Sequence, residues 1–203
     1  MGIAERKERE RQEMRSMILS TAAQLFIEEG FEKTSIRNIA EAIEYSPATI
    51  YLYFKDKNEL FHALSEEGFR KFFTELNEAN QSGKPMDRMK RLGKQYLKFA
   101  IENPGYYDLM FIMKAPMESH HNDEGWDLGM KSHGILTSLV KECIDDGYFK
   151  SKDAKLLSFM IWSFVHGAVS FKIRDRMKMY EELDQDELMS GALDYFNEML
   201  EKL

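Results

Sequence analysis

Two short amphipathic patterns, separated by a tight turn within residues 34–57, constrain this chain most. The second pattern begins with Ser46, an N-cap residue type, and Pro47, whose missing N–H costs nothing at the first helical position. Helices this short cannot bury their own apolar faces, so a third helix must cover them. A helix from about Arg6 or Arg11 to Glu29 can supply it. The apolar positions with helical spacing are Ile18, Ala22, Leu25, Phe26, Ile36, Ile39, Ala40, Ile43, Ile50 and Phe54.

Three helices of this kind form the helix-turn-helix arrangement, in which the second short helix enters the major groove of DNA. That helix is predicted to present its small residues outward, together with Tyr51 and Leu52. The Thr49 hydroxyl can bond a base or a phosphate, and Pro47 or Ala48 can contact a thymine methyl group.

The rest of the chain predicts an all-α fold of about nine helices, because helical periodicity is pervasive and alternating patterns are scarce. A DNA-binding domain is expected at residues 1–56, and a ligand-binding and dimerisation domain at residues 57–203. The further helices are predicted at residues 57–80, 86–102, 106–113, 126–145, 153–176 and 186–202.

Residues 14–65 resemble the DNA-binding domain of the TetR family of regulators. The matching features are Gly30-Phe31, Thr34, Ile39-Ala40, Ser46 and the run from Thr49 to Leu60. The resemblance implies that Arg37 reaches a base or phosphate, that the tyrosine hydroxyls bond phosphates, and that Lys57 binds a phosphate at a helix N-terminus. The DNA-binding residues expected are Thr34, Arg37, Ser46, Pro47, Ala48, Thr49, Tyr51, Tyr53 and Lys57.

The sequence departs from the family pattern at Glu44 and Tyr45, where glycine and a small aliphatic residue are usual. Glu44 requires an unusual conformation if its φ is positive. Simpler interpretations stay open for several site residues. The tyrosines can be core residues, Lys55 and Lys57 solvated charges, and Arg37 a partner of Glu41.

The charge balance opposes DNA binding unless the positive charge is concentrated on one face. The net charge is −7, and the first 60 residues carry nine basic and eleven acidic side chains. The basic residues expected near DNA are Lys33, Arg37, Lys55 and Lys57. Residues 5–15 add five basic and four acidic side chains, and are interpreted as a loose arm over the DNA backbone.

The chain has 14 methionines, and its later helices also carry many aromatic residues. Together they favour a pocket for a small apolar or aromatic effector, although ordinary core packing is the simpler explanation for most of these residues. The stretch from Trp162 to His166-Gly167 resembles a Trp…His-Gly signature of one TetR subgroup, in which the histidine is structural. The ligand-binding residues expected are Phe72, Tyr96, Tyr107, Met110, Phe111, Trp126, Trp162 and His166.

The eighth and ninth helices, about residues 153–203, carry enough apolar surface to predict a homodimer interface; closure of a monomeric bundle is the alternative. The function predicted is a sequence-specific repressor that binds a near-palindromic DNA site and is released by its effector, with activation left open. The alternatives are a helical ligand-binding or scaffold protein without DNA binding, and a helical metalloenzyme. The enzyme would use Glu59-x-x-His62 and Glu118-x-x-His121, and a stray ion could bind at His120, His121, Asp123 and Glu124.

The remaining features predict a cytoplasmic protein without a cofactor, an enzymatic activity or a membrane partner. No apolar run is expected to approach the ~18 residues of a membrane span, and the charged N-terminus does not resemble a secretory signal. The single cysteine, Cys143, is predicted to be a small buried hydrophobe.

Overall fold

The computed structural model describes residues 2–113 and 125–202, and at residues 125 and 126 it describes the backbone alone. Every regular element in the described part of the chain is helical, which confirms the all-α class. The helices are α1 (Ile3–Glu29), α2 (Ile36–Ala42), α3 (Pro47–Tyr51), α4 (Lys57–Ala79), α5 (Pro85–Glu102), α6 (Pro104–Tyr107), α7 (Gly125–Asp145), α8 (Ala154–Ile173) and α9 (Gln185–Leu200). A π-helical turn, Asp108–Ile112, follows α6, and a 3₁₀ turn, Lys178–Tyr180, precedes α9.

The described residues pack into two compact units. The first unit comprises the described parts of residues 1–69 and 105–126, and the second comprises those of 70–104 and 127–203. The boundary predicted between residues 56 and 57 lies inside the first unit, so it is a predicted division of functions and not a division between packing units. It stays a prediction.

Aromatic rings fill the centre of the first unit. The ring centroid of Phe26 lies 5.3 Å from that of Phe31 and 6.0 Å from that of Phe61, and the last two are 5.1 Å apart. Burial of side chains of this size stabilises a fold by roughly 1.5–3 kcal/mol each. The same core fixes α2 and α3 against α1. It also contains Ile18, Leu19, Ala22, Ile39, Ala40, Ile50, Phe54, Leu60, Leu64 and Leu109.

A segment remote in sequence completes this first core. Leu109, in the π-helical turn, is buried among the side chains of α1 and α4. Glycine permits the close approach of the same segment at two points. A Cβ at Gly105 would lie 2.7 Å from Ile27 Cδ1, and a Cβ at Gly68 would lie 2.7 Å from Met110 Sδ. Residues 105–113 are therefore part of the first unit.

The second unit is built around α5, which packs against α8 and α9. A Cβ at Gly93 of α5 would meet Leu193 Cδ1 of α9 at 3.1 Å, so the two helices approach closely. Arg88 forms a two-pronged ion pair with Glu142, with N···O distances of 2.5 and 3.0 Å, and thereby ties α5 to α7.

Several helix ends differ from those predicted. α1 begins at Ile3, so residues 5–15 are helical and not a loose arm. α8 ends at Ile173, three residues before the predicted end, because the backbone turns at Asp175 with φ of +51°. The predicted helix at residues 106–113 is a short α6 followed by the π-helical turn.

The prediction that no segment could span a membrane by length was wrong for α8. By length and composition alone this helix is apolar enough, although core helices of soluble proteins pass the same test. Only 28% of its apolar window is buried inside the protein. The exposed apolar residues of α8 are Leu156, Phe159, Met160 and Phe171.

Candidate DNA-reading surface and effector site

α3 starts where the sequence predicts and is fixed by the expected cap. Ser46 Oγ accepts a hydrogen bond from the Thr49 backbone N–H at 3.3 Å, and Pro47 occupies the first turn. Ile50 is fully buried, which sets the rotation of the helix. Ser46 and Ala48 are consequently exposed, while Pro47 and Thr49 are half-buried. A short helix with small residues on its outer face can lie deep in a major groove.

The turn between α2 and α3 uses a left-handed residue that is not glycine. Glu44 has φ of +60°. Its N–H donates to the Glu41 carbonyl at 3.1 Å, and the Tyr45 N–H donates to the Ala40 carbonyl at 2.9 Å. This pair of bonds is the Schellman motif that ends many helices. The unusual conformation anticipated for Glu44 is therefore present, and the Tyr45 side chain is half-exposed beside it.

Besides Ser46 and Thr49 in the cap of α3, Thr34 and Lys57 among the predicted DNA contacts also have hydrogen-bond partners. Thr34 is buried, and its hydroxyl donates to the carbonyls of Leu25 at 3.2 Å and Gly30 at 3.0 Å, so it joins α1 to the start of α2. We therefore leave Thr34 out of the candidate surface, which revises the set expected from sequence. Lys57 Nζ donates to the Phe31 carbonyl at 2.7 Å, which uses one of its three N–H donors.

The other predicted contacts lie on the outside of the first unit. Arg37 is exposed on α2, where Ser35 caps the helix by accepting a hydrogen bond from the Asn38 N–H. Tyr51 is 56% exposed, while Tyr53 is half-buried against the core. Tyr51 is thus placed for an external contact, and Tyr53 combines a packing position with a partly accessible side chain.

An aromatic and polar cluster occupies part of the second unit. We call Phe72, Tyr96, His133, Trp162 and His166 the His166 cluster. The Tyr96 hydroxyl is hydrogen-bonded to His166 Nδ1, and the rings of Trp162 and His166 lie 5.1 Å apart. Burial lowers the pKa of His166 to about 4, so its imidazole is neutral at pH 7. His166 thus offers the cluster a neutral hydrogen-bonding group rather than a charge.

The structure divides the predicted ligand-binding residues between the two units. The His166 cluster holds four of them, and the sequence analysis missed His133, whose ring lies 5.5 Å from that of Trp162. In the first unit the rings of Tyr107 and Phe111 are 5.2 Å apart, with Met110 near them in the same segment. The Trp126 side chain lies outside the described residues.

In the part of the chain that the structure describes, no three candidate metal ligands come together. The metalloenzyme alternative therefore has no cluster there to support it. The Glu59 carboxylate accepts a hydrogen bond from the Lys55 N–H, and Asp56 caps α4 by accepting one from the Glu59 N–H at 2.9 Å. The predicted ligands of the later segment, Glu118, His120, His121, Asp123 and Glu124, lie outside the described residues.

A three-helix unit with an outward, capped short helix defines a helix-turn-helix protein. Residues 18–64 match the family described as bacterial regulatory proteins, tetR family, and residues 89–196 match a tetracyclin repressor-like C-terminal domain. The chain therefore belongs to the TetR family, and it is a DNA-binding transcriptional regulator.

Several similar proteins cover most of the chain, and another matches a third of it at higher identity. YobS of Bacillus subtilis, an uncharacterized HTH-type transcriptional regulator, is 23% identical over 82% of this chain and 83% of its own length. AcrR of Shigella flexneri is 39% identical over 32% of this chain and 30% of its own length. Among solved structures, a tetR-family regulatory protein from Rhodococcus RHA1 has a TM-score of 0.74 at 18% identity, with 92% and 96% of the two chains covered. The fatty acid degradation regulator FadR of Bacillus halodurans has a TM-score of 0.72 at 19% identity, with coverage of 92% and 93%.

Proposed function

We propose that this regulator is a cytoplasmic, homodimeric repressor that binds a near-palindromic operator and is released by a small apolar or aromatic effector. The observation that carries the proposal is the capped α3, which is fixed by a buried Ile50 and turns small residues and Tyr51 outward. Two copies related by a twofold axis read two half-sites about 34–36 Å apart.

The residues proposed to contact DNA are the exposed or half-exposed members of the predicted set. Ala48 and Thr49 face the bases, whereas Arg37, Tyr51 and the Lys57 N–H donors that do not bond the Phe31 carbonyl bind backbone or base atoms. The full set is Arg37, Ser46, Pro47, Ala48, Thr49, Tyr51, Tyr53 and Lys57.

Selection of genomic fragments by the purified protein, followed by titration at several salt concentrations, tests this proposal. We expect one or a few palindromic sites, bound far above random DNA. Arg37→Ala and Tyr51→Phe should each weaken binding to that site, by roughly 5- to 100-fold, which corresponds to about 1–3 kcal/mol. Tyr180→Phe, at an exposed tyrosine of the second unit, is the matched control. If the protein binds no genomic fragment better than random fragments, the result would favour the alternative, a helical ligand-binding or scaffold protein without DNA binding.

The proposed dimer interface uses one exposed stripe on each of the last two helices. On α8 the residues Leu156, Met160, Gly167 and Phe171 recur with helical spacing, and the last two turns of α9 expose apolar side chains as well. Within the described residues, a Cβ at Gly167 or at Gly191 of α9 would have no heavy atom within 4 Å. A glycine in an exposed helix interior costs about 1 kcal/mol relative to alanine, and close approach of a second backbone accounts for it.

Sedimentation distinguishes this interface from a monomeric bundle. The parent protein should sediment as a dimer, and Phe171→Asp on the α8 stripe should sediment as a monomer, because a carboxylate would be buried in an apolar contact. Met179→Asp, at a side chain that is 74% exposed and outside both helices, should leave the dimer intact. A monomeric parent would overturn the dimer proposal.

The effector proposal rests on the His166 cluster. Its rings form apolar walls, and the neutral His166 and Tyr96 offer hydrogen bonds without demanding a charged ligand. In a Trp126→Phe background, Trp162 is the one tryptophan that remains, and its fluorescence should change saturably on titration with naphthalene-type or medium-chain acyl probes. A ligand that binds in this way should also lower operator affinity, and operator DNA should lower ligand affinity by the same factor. If operator affinity is unchanged at saturating ligand, the proposal that the effector releases the protein from its operator is wrong.

A further inference from the structure

The N-terminal third of α1 extends beyond the core of the first unit. Residues 2–13 are all exposed, yet they form a regular helix. Side-chain pairs one turn apart hold this extension: Arg6 with Glu10 at 2.8 Å, and Arg9 with Glu13 at 3.5 Å. Such pairs stabilise a helix by about 0.2–0.5 kcal/mol each. The extension is thus a helical surface of its own, and not an element packed into the fold.

The charges of the extension are sorted by face. One basic ridge is formed by residues that recur every four positions, Lys7, Arg11 and Arg15. On the opposite side, the arginine and the glutamate of each Arg–Glu pair neutralise each other. Lys7 and Arg11 have no ion-pair partner in the part of the chain that the structure describes. Glu8, which flanks the ridge, accepts a hydrogen bond from Gln12 at 2.7 Å. The basic ridge, defined as Lys7, Arg11 and Arg15, therefore retains its positive charge.

The ridge lies on the stripe of α1 that faces the rest of the first unit. Ile18 and Ala22, three and seven residues after Arg15, are fully buried on that stripe. The Arg15 guanidinium lies over the Phe54 ring, 5.2 Å from its centroid, and Phe54 comes three residues after the end of α3. One end of the ridge is thus attached beside the proposed DNA-reading helix, and the other two cations extend away along the same face.

We propose that the basic ridge of α1 binds the phosphate backbone of DNA next to the half-site that α3 reads. The inference rests on the proposed DNA contacts of α3. At 1.5 Å per residue the ridge is about 12 Å long. Duplex DNA carries one negative charge per roughly 1.7 Å of its axis, and lysine and arginine at this spacing match such a polyanion. The ridge also resolves the charge problem of an acidic protein that binds DNA, since it concentrates three cations where the surrounding sequence is close to neutral.

Two double variants test the proposal with the same loss of charge. Lys7→Gln/Arg11→Gln removes two cations of the ridge, and Arg6→Gln/Arg9→Gln removes two cations from the paired face of the same helix. Operator binding is titrated from 0.05 to 0.3 M salt for both variants and for the parent protein. The ridge variant should bind roughly 10- to 100-fold more weakly at 0.1 M salt, and its log–log salt slope should fall by about 1.8. The paired-face variant should change both quantities much less.

Circular dichroism separates this effect from unfolding of the helix. The paired-face variant breaks the stabilising pairs, so fraying alone would reduce helicity and affinity most in that variant, which is the reverse of the expected order. Equal salt slopes in the ridge variant and the parent, with operator binding intact, would overturn the ridge proposal alone. Absence of operator binding by the parent would instead overturn the proposed function on which the ridge proposal rests.

Discussion

The interiors of the two units differ in what their aromatic residues leave available. In the first unit the rings of Phe26, Phe31 and Phe61 are nearly or fully buried, and they carry no polar atom. In the second unit Trp162 and His166 are only half-buried, and hydrogen-bonding groups line the cluster. The first core suits the rigid positioning of α3, whereas the second suits adaptation to a ligand. Aromatic content alone is therefore a poor guide to a binding site, and the proposal for the second unit rests on the residual exposure and polar atoms of its cluster.

The largest expected effect comes from the closed core. Phe61→Ala should destabilise the first unit by about 3–5 kcal/mol, since a dense core collapses only partly around a lost ring. Trp162→Phe should cost about 1 kcal/mol or less, because the site is half open. Urea unfolding followed by circular dichroism measures both variants. Similar losses in the free energy of unfolding of the two variants would contradict the difference between a closed interior in the first unit and an adaptable one in the second.

Acid should act selectively on the second unit through His166. Its pKa falls from 6.5 in the unfolded chain to about 4 in the folded one, so the unfolded state binds the proton first as pH falls. Stability attributable to this group is therefore intact above pH 6.5 and lost between pH 6.5 and 4. Between pH 7 and 5 we expect a loss of about 1 kcal/mol, after allowance for partial solvent screening.

His166→Asn provides the reference for this pH effect, because it keeps a polar side chain that does not titrate. The free energy of unfolding, followed by tryptophan fluorescence in urea, should depend less on pH in the variant than in the parent. An identical pH dependence in both proteins would show that His166 is not the group that responds to acid.

The smallest effect concerns helix ends and compares one motif in both units. Glu44 in the first unit and Asp175 in the second, with φ of +60° and +51°, occupy the position that Gly147 fills after α7. Glu44→Gly and Asp175→Gly should each stabilise the protein by about 0.5–1 kcal/mol, and Gly147→Ala should destabilise it by a similar amount. Thermal unfolding measures all three. A loss of stability at Glu44 alone would indicate that its side chain contributes a contact to the first unit.

Local rules predicted the parts of this molecule that depend on neighbours in sequence. The cap at Ser46, Pro47 in the first turn and the inward Ile50 all follow from spacing within a few residues. The Arg–Glu pairs one turn apart are likewise consistent with the helical start of α1, whereas the expectation of a loose arm over residues 5–15 is wrong.

Contacts between distant residues were not predictable in this way. Lys57 and the Phe31 carbonyl are 26 residues apart, and Tyr96 and His166 are 70 residues apart. No periodicity within one helix specifies which side chain of another helix it will meet. Assignment of Thr34 to the DNA surface was unsafe for the same reason, since its hydroxyl is used by carbonyls of α1 and of the turn that follows it.

The position of Leu109 in the first core has a consequence for the modularity of such regulators. A DNA-binding head excised after α4 would lack this side chain and the close approach of Gly105 to Ile27, and its core would contain a gap. A chimera that exchanges heads between family members must therefore carry residues 105–113 along with the head or adapt them to it. In this protein the transplantable unit of DNA recognition is discontinuous in sequence, although its sequence signature is continuous.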